Sequence, residues 1–177
     1  MILRAMILSL ALASTMSYAF EKCTQLQHCD NTALGKLEYV SGKSQSDKQS
    51  RILLNGNEIF KNDSGKIDSD LDGWILNSKN LVSKTIVFYD FNTPQYIKTD
   101  PKYGDMYRYR AYRLFDFSGK EVVISNEFYP PADYDASLDW VSWGKKNSVI
   151  GFHDGSRFKY ENGHVSMIDD GSESEGK

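Results

Sequence analysis

Short apolar runs, separated by turn residues, recur from Ser50 onward as far as the acidic tail. Arg51-Ile52-Leu53-Leu54 meets Asn55-Gly56, and Glu58-Ile59-Phe60 follows. Asn-Gly between two such runs is the strongest short hairpin signal, because both turn positions need a left-handed backbone. Leu37 to Val40, Thr85 to Phe91, Met106 to Phe117 and Glu121 to Ser125 read as further strands. Trp140 to Trp143, Ser148 to Phe152 and Arg157 to Tyr160 complete the set. No window carries an apolar stripe of helical period over three turns. Short helices are predicted only around Gln25 to Leu34 and Leu76 to Val82. The pattern predicts an all-β fold, mainly antiparallel: a sandwich, a barrel or a stacked meander of hairpins. Ile52 to Phe60 and Ile150 to Phe158 echo one another, each with an Asx-Gly turn inside. Turn chemistry alone explains two such copies, since it selects the same residues in any meander.

The N-terminus breaks this pattern. Arg4 precedes a short apolar run, Ala5 to Ala13, and small residues end the segment at Ala19. This is the three-part layout of a secretory signal. The run is too short for a membrane span, which needs about 20 apolar residues. Cys23 follows Phe20-Glu21-Lys22 rather than a small-residue box, which argues against a lipid anchor. The expected division is a signal peptide over 1–19, a single all-β domain over 20–168 and a disordered acidic tail over 169–177. The mature protein is expected in the periplasm or outside the cell, with no membrane span left after signal removal. Cys23 and Cys29 are the two cysteines of the chain. In an oxidising compartment they read as one disulfide, which stabilises by about 2 kcal/mol in the chain-entropy model. A zinc site from Cys23, His28 and Cys29 lacks a fourth ligand cluster.

The 177 residues are 40% hydrophobic and 13% aromatic, enough for a packed core and against disorder throughout. They carry 21 basic and 24 acidic residues, a net charge of −3. Losing Arg4 with the signal makes it −4. A chain of that sign is not built for phosphate backbones, so nucleic acid is excluded as the main partner.

Three constellations carry candidate chemistry. Asp68-Ser69-Asp70-Leu71-Asp72-Gly73 matches the first half of an EF-hand calcium loop, with Asp68, Asp70 and Asp72 as the candidate metal ligands. Position 12 falls on Lys79, where a bidentate Glu belongs, so calcium needs ligands from elsewhere. The plainer reading is an acidic turn. Tyr107-Arg108-Tyr109-Arg110-Ala111-Tyr112-Arg113 alternates the two residue types that dominate protein interfaces. On a strand, Tyr107, Tyr109, Ala111 and Arg113 share one face, and Arg108, Arg110 and Tyr112 the other. A half-buried wall strand explains the same run. The loop Phe128-Tyr129-Pro130-Pro131-Ala132-Asp133-Tyr134-Asp135 leads to Trp140 and Trp143, which are three apart and so face opposite sides of one strand.

The inventory for catalysis is thin. The histidines are His28, His153 and His164, and no nucleophile elbow, His-Glu-x-x-His or phosphate-binding glycine loop is present. His153-Asp154 falls in a hairpin turn that Asp154-Gly155 explains. A carboxylate pair that meets only in the fold is the route left to a hydrolase. The expectation is therefore an exported, non-catalytic protein without a cofactor. It binds another protein of the cell envelope, in the manner of an inhibitor or immunity protein that neutralises a toxin or lytic enzyme. The surface expected to bind comprises Tyr107, Arg108, Tyr109, Arg110, Tyr112, Tyr129, Tyr134 and Trp140. The alternative is a carbohydrate- or cell-wall-binding β module assisted by calcium.

Overall fold

A computed structural model describes residues 29–40, 50–62, 67–76, 81–90, 97–99, 106–108, 110–131 and 136–172. For 67–76, 90, 97–99 and 106–108 it gives the course of the backbone. The signal segment, Cys23, Tyr109 and Tyr134 lie outside the described residues.

Fourteen strands and no helix form among the described residues. They are β1 (Cys29–Thr32), β2 (Gly35–Val40), β3 (Ser50–Leu54), β4 (Asn57–Asn62), β5 (Ile67–Leu76), β6 (Leu81–Asp90) and β7 (Ile97–Thr99). The rest are β8 (Met106–Arg108), β9 (Arg110–Asp116), β10 (Val123–Ile124), β11 (Leu138–Ser142), β12 (Asn147–Phe152), β13 (Arg157–Glu161) and β14 (His164–Asp169). The all-β, mainly antiparallel reading of the sequence therefore holds. Both predicted helices give way to strand: β1 lies within the first, and β5 and β6 take the described ends of the second. Neither segment has an apolar stripe long enough to offset the cost of helix nucleation.

An eight-stranded sheet runs β10-β9-β6-β1-β2-β3-β4, with β5 also paired to β6. A four-stranded sheet runs β11-β12-β13-β14, and β7 pairs with β8. The one parallel contact, Thr32 beside Val82, joins β1 to β6. There the large sheet folds back on itself, so β6 and β9 are covered on both faces. On one face Val87, Tyr89, Ala111, Phe115 and Phe117 pack with Leu37 of β2 and Ile52 of β3. On the other, Ile86, Tyr112 and Leu114 pack with Ile150, Phe152, Phe158, Tyr160 and Val165 of the small sheet. Pairing carries this alternation across the ladder: Ile86 opposes Leu114, and Tyr89 opposes Ala111. Covering both faces is why Thr85-Ile86-Val87-Phe88-Tyr89 is a continuous apolar run rather than an alternating one.

The turns follow their chemistry. Asn55 and Gly56 both have positive φ, 52° and 78°, and close a two-residue hairpin between Leu54 and Asn57. Asn162 and Gly163 do the same between Glu161 and His164, with φ of 52° and 83°. The β12–β13 turn is longer. Its Asp154 carboxylate accepts hydrogen bonds from the Ser156 amide at 2.9 Å and the Ser156 hydroxyl at 2.6 Å. The two echoed segments thus use different turns, in line with turn chemistry rather than duplication. The single long strand expected over Met106 to Phe117 divides instead into β8, which pairs with β7, and β9, which pairs with β6.

Lys84 fixes the small sheet onto the large one. It is wholly buried on β6. Its ammonium donates to the carbonyls of Gly144 at 2.6 Å and Lys145 at 3.0 Å, both in the β11–β12 connection. It lies 3.7 Å from the Asp116 carboxylate, which also accepts from the Tyr160 hydroxyl at 2.9 Å. A buried ammonium is tolerated only when several acceptors surround it, as here.

At the other end of the small sheet, Asn126 guards the edge strand β14. Its side-chain amide donates to the Val165 carbonyl at 3.0 Å and accepts from the Val165 amide at 2.7 Å. A side chain thereby takes the place of a neighbouring strand, one of the ways an exposed edge is blunted. The C-terminal acidic segment starts inside the fold. Asp169 closes β14 and accepts from Arg157 Nε at 3.1 Å, and Ser172 is the last described residue. Among the described residues, no helix is long and apolar enough to cross a membrane.

Candidate partner-binding surface

The outer face of the small sheet, at its β11 edge, holds the clearest outward-facing constellation. Leu138, Val141 and Trp143 pack inward against the core. Strict alternation from Leu138 would send Trp140 inward as well. A bulge prevents this: Leu138 opposes Phe152 while Trp140 opposes Gly151, so β11 has one residue more than β12 over that stretch. The extra residue is Asp139. Asp139 and Trp140 both face outward as a result, the side chain of Asp139 45% exposed and Trp140 43% exposed. Bulges re-aim side chains in this way, and they cluster beside functional sites.

Gly151 provides the seat. A Cβ at this position would stand 2.4 Å from Trp140 Cε2 and 2.5 Å from Nε1, so the indole lies directly on the bare backbone of the next strand. Any larger residue displaces the ring. The row continues across the sheet, with Gly151 opposite Arg157 and Arg157 opposite Asp169. Arg157 is held by Asp169 through two charge-assisted bonds. On the other side of the ring, His153 Nδ1 lies 3.6 Å from Asp139 Oδ1, while the His153 amide donates to the Ser137 carbonyl at 3.1 Å. Lys159 and Glu161 pair at 2.9 Å farther along β13. The result is an aromatic platform with a rim of charges. Four of those charges are tied up in two pairs, Arg157–Asp169 and Lys159–Glu161, and the Asp139 carboxylate faces only an imidazole among the described ion pairs.

The expected binding residues divide sharply. Trp140 is in this constellation, and Trp143, three residues on, faces the core, so the two rings lie on opposite sides as their spacing predicts. Tyr129 is half exposed, beyond the buried Phe128 and Pro130. Tyr112 is 1% exposed and belongs to no surface: it stacks on Phe128, meets Phe152 edge-on and donates its hydroxyl to the Ala136 carbonyl. Its neighbours on the ladder are core residues, because this face of β9 is covered by the small sheet. Arg110 is half buried with its guanidinium 5.4 Å from the centre of the Phe88 ring. Tyr107 and Arg108 lie on β8, with the backbone alone described, and Tyr109 and Tyr134 fall outside the described residues. The sequence reading does not single out Asp139, and it places His153 only in a hairpin turn. The signal that turns Asp139 outward is a bulge, and a bulge is not visible as an apolar period.

A second polar cluster lies on the opposite face of β9. Arg113 Nε donates to the Tyr89 hydroxyl at 3.0 Å and Nη1 to the Ser125 carbonyl at 2.8 Å, while Tyr89 donates to the Glu127 carboxylate. Burial first, and then the bond to Glu127, pushes the Tyr89 hydroxyl far above its usual range. Arg113 also sits over the Phe60 ring at 5.6 Å. These groups spend their donors on one another, so the cluster ties β6, β9 and the segment after β10 together and presents little to a ligand.

The Asp68 to Gly73 motif runs as part of β5, extended and paired with β6. Asp70 opposes Ile86 and Trp74 opposes Lys84, so the strand bulges over Leu71 to Gly73. Cys29 opens β1 and is not a free thiol, and its expected partner Cys23 lies outside the described residues. No group of three metal-ligating side chains converges among the described residues. A shallow depression of about 510 Å³ lies beside Met167, Ile168, Asp169, Asp170 and Ser172 and has no aromatic wall. No protein-family model matches the chain, and no curated protein or solved structure was found similar to it.

Proposed function

We propose that the chain is exported, closes a Cys23–Cys29 disulfide and binds another protein of the cell envelope without catalysing a reaction. An inhibitor or immunity role, in which the partner is a toxin or lytic enzyme, is the form of this reading that fits compartment, size and acidic charge. The observation that carries it is Trp140: a large aromatic, 43% exposed, yet fixed on Gly151, with Asp139 beside it on β11 and the Arg157–Asp169 pair farther along the same row. A rigid aromatic anchor inside a polar rim is the anatomy of a protein-binding hot spot. Tyr129 supplies a second exposed aromatic. The carbohydrate alternative calls for an aromatic-lined groove, and the depression beside Met167, Ile168, Asp169, Asp170 and Ser172 has no aromatic in its lining.

The test is affinity capture from envelope extract on the immobilised mature chain, residues 20–177, with and without chelator. A stoichiometric protein that is retained by the wild-type chain and lost with Trp140→Ala is the expected result. Recovery of cell-wall glycan, or chelator-dependent binding abolished by neutralising Asp68, Asp70 and Asp72, would favour the calcium-assisted sugar reading instead.

A further inference from the structure

The charge beside Trp140 specifies what kind of group it receives. The indole has one face on Gly151 and the other toward solvent. Asp139, brought to the same face by the bulge, stands next to it with an exposed carboxylate. The nearest cation on the row, Arg157, is already engaged by Asp169. An aromatic face attracts cations through its quadrupole, and Trp does so best. A carboxylate alongside adds a directional partner for N–H donors. We infer that the Trp140–Asp139 pair is a receptor for an arginine side chain presented by the protein partner. The guanidinium stacks on the indole, and its edge donates to the Asp139 carboxylate. Arginine fits better than lysine because it is planar, weakly hydrated and able to stack and donate at once. The net charge of −3, or −4 once Arg4 leaves with the signal, favours encounter with a basic partner. This inference rests on the protein-binding reading and names the partner's chemistry at its anchor.

The test uses N-acetyl-argininamide as the probe and its neutral isostere N-acetyl-citrullinamide as the control. Both are titrated into the ¹⁵N-labelled mature chain while the three indole N–H signals are followed. The Trp140 signal, assigned by its loss in Trp140→Phe, is expected to shift with the arginine probe and to remain fixed with citrulline. Asp139→Asn should weaken that response by about two- to fivefold, the range of an exposed ion pair, while leaving amide dispersion unchanged. Equal responses to the two probes, or a Trp140 signal that neither moves, would overturn the inference. So would a shift produced by a cell-wall oligosaccharide in place of the arginine probe. Capture with the variants separates the two levels. A protein partner lost with Trp140→Ala but bound at full strength by Asp139→Asn leaves protein binding standing and removes the arginine receptor. A partner indifferent to both removes the surface itself.

Discussion

Replacing Lys84 by Met tests how the two sheets are joined. Met has nearly the same length and fills the same channel, so apolar packing changes little. What is lost is the ammonium, and three acceptors lose their donor: the carbonyls of Gly144 and Lys145, at 2.6 and 3.0 Å, and the Asp116 carboxylate at 3.7 Å. Removing one side of a buried pair costs about 3–5 kcal/mol, because the other side stays desolvated. The Asp116 side chain retains 13% exposure and the Tyr160 hydroxyl, which places the cost near the lower end, about 3 kcal/mol. With a urea m-value of about 2 kcal/mol/M, the midpoint falls by about 1.5 M. Equilibrium urea unfolding, followed by circular dichroism, reads this directly. A cycle with Asp116→Asn and the double variant isolates the Lys84–Asp116 term, expected at about 1 kcal/mol or more. A loss under about 1 kcal/mol in Lys84→Met would refute the reasoning, since it would mean that the carbonyls and carboxylate find other donors or water at no cost.

Three further expectations concern the edge strand, the buried tyrosines and the indole seat. Asn126→Leu removes two hydrogen bonds to Val165, costs about 1–3 kcal/mol and opens the β14 edge, so light scattering should show concentration-dependent association absent from the wild type. Tyr89 and Tyr160 both have hydroxyls raised by burial and by a carboxylate acceptor, Glu127 and Asp116. The unfolded chain therefore gives up these protons first. Their contribution is complete below about pH 10 and declines as pH climbs toward the folded-state values, so melting temperature should fall above pH 10. The fall should be shallower in Tyr89→Phe, and a wild-type melting temperature constant to pH 12 would contradict the assignment. Gly151→Val places a branched side chain where the indole lies, which should shift the Trp140 indole N–H signal and weaken partner capture with the fold intact. An unmoved signal would mean that the ring is seated elsewhere.

Much of this fold is legible in the residues. Asn55-Gly56 and Asn162-Gly163 mark their hairpins because only a short list of residues accepts positive φ at both turn positions. The Thr85 to Tyr89 run announces a strand buried on both faces. The choice of what buries each face, the folded-back β2–β4 segment on one side and the small sheet on the other, is a matter of long-range packing that no local period records. Lys84 illustrates the limit from the other direction. A lysine at the start of a strand reads as solvent-exposed, and its burial depends on two carbonyls sixty residues downstream. Within the candidate surface, the spacing of Trp140 and Trp143 correctly put one of them outside. Tyr112 was misplaced because Tyr suits an interface and a core wall equally, and its packing against Phe128 and Phe152 decides between them. Asp139 is not legible because it is the extra residue of β11, which brings it to the same face as the ring. His153 reads only as a hairpin-turn residue, and its approach to Asp139 is set by the fold.

The central claim is that Trp140 anchors a protein partner, and the affinity of the captured partner for wild type and Trp140→Ala measures it most directly. Isothermal titration with both chains, at matched ionic strength, is expected to show a loss of at least 2 kcal/mol, or about thirtyfold, as for a hot-spot aromatic. Equal affinity for the two chains, with the variant folded, would contradict the claim and move the binding surface away from the small sheet.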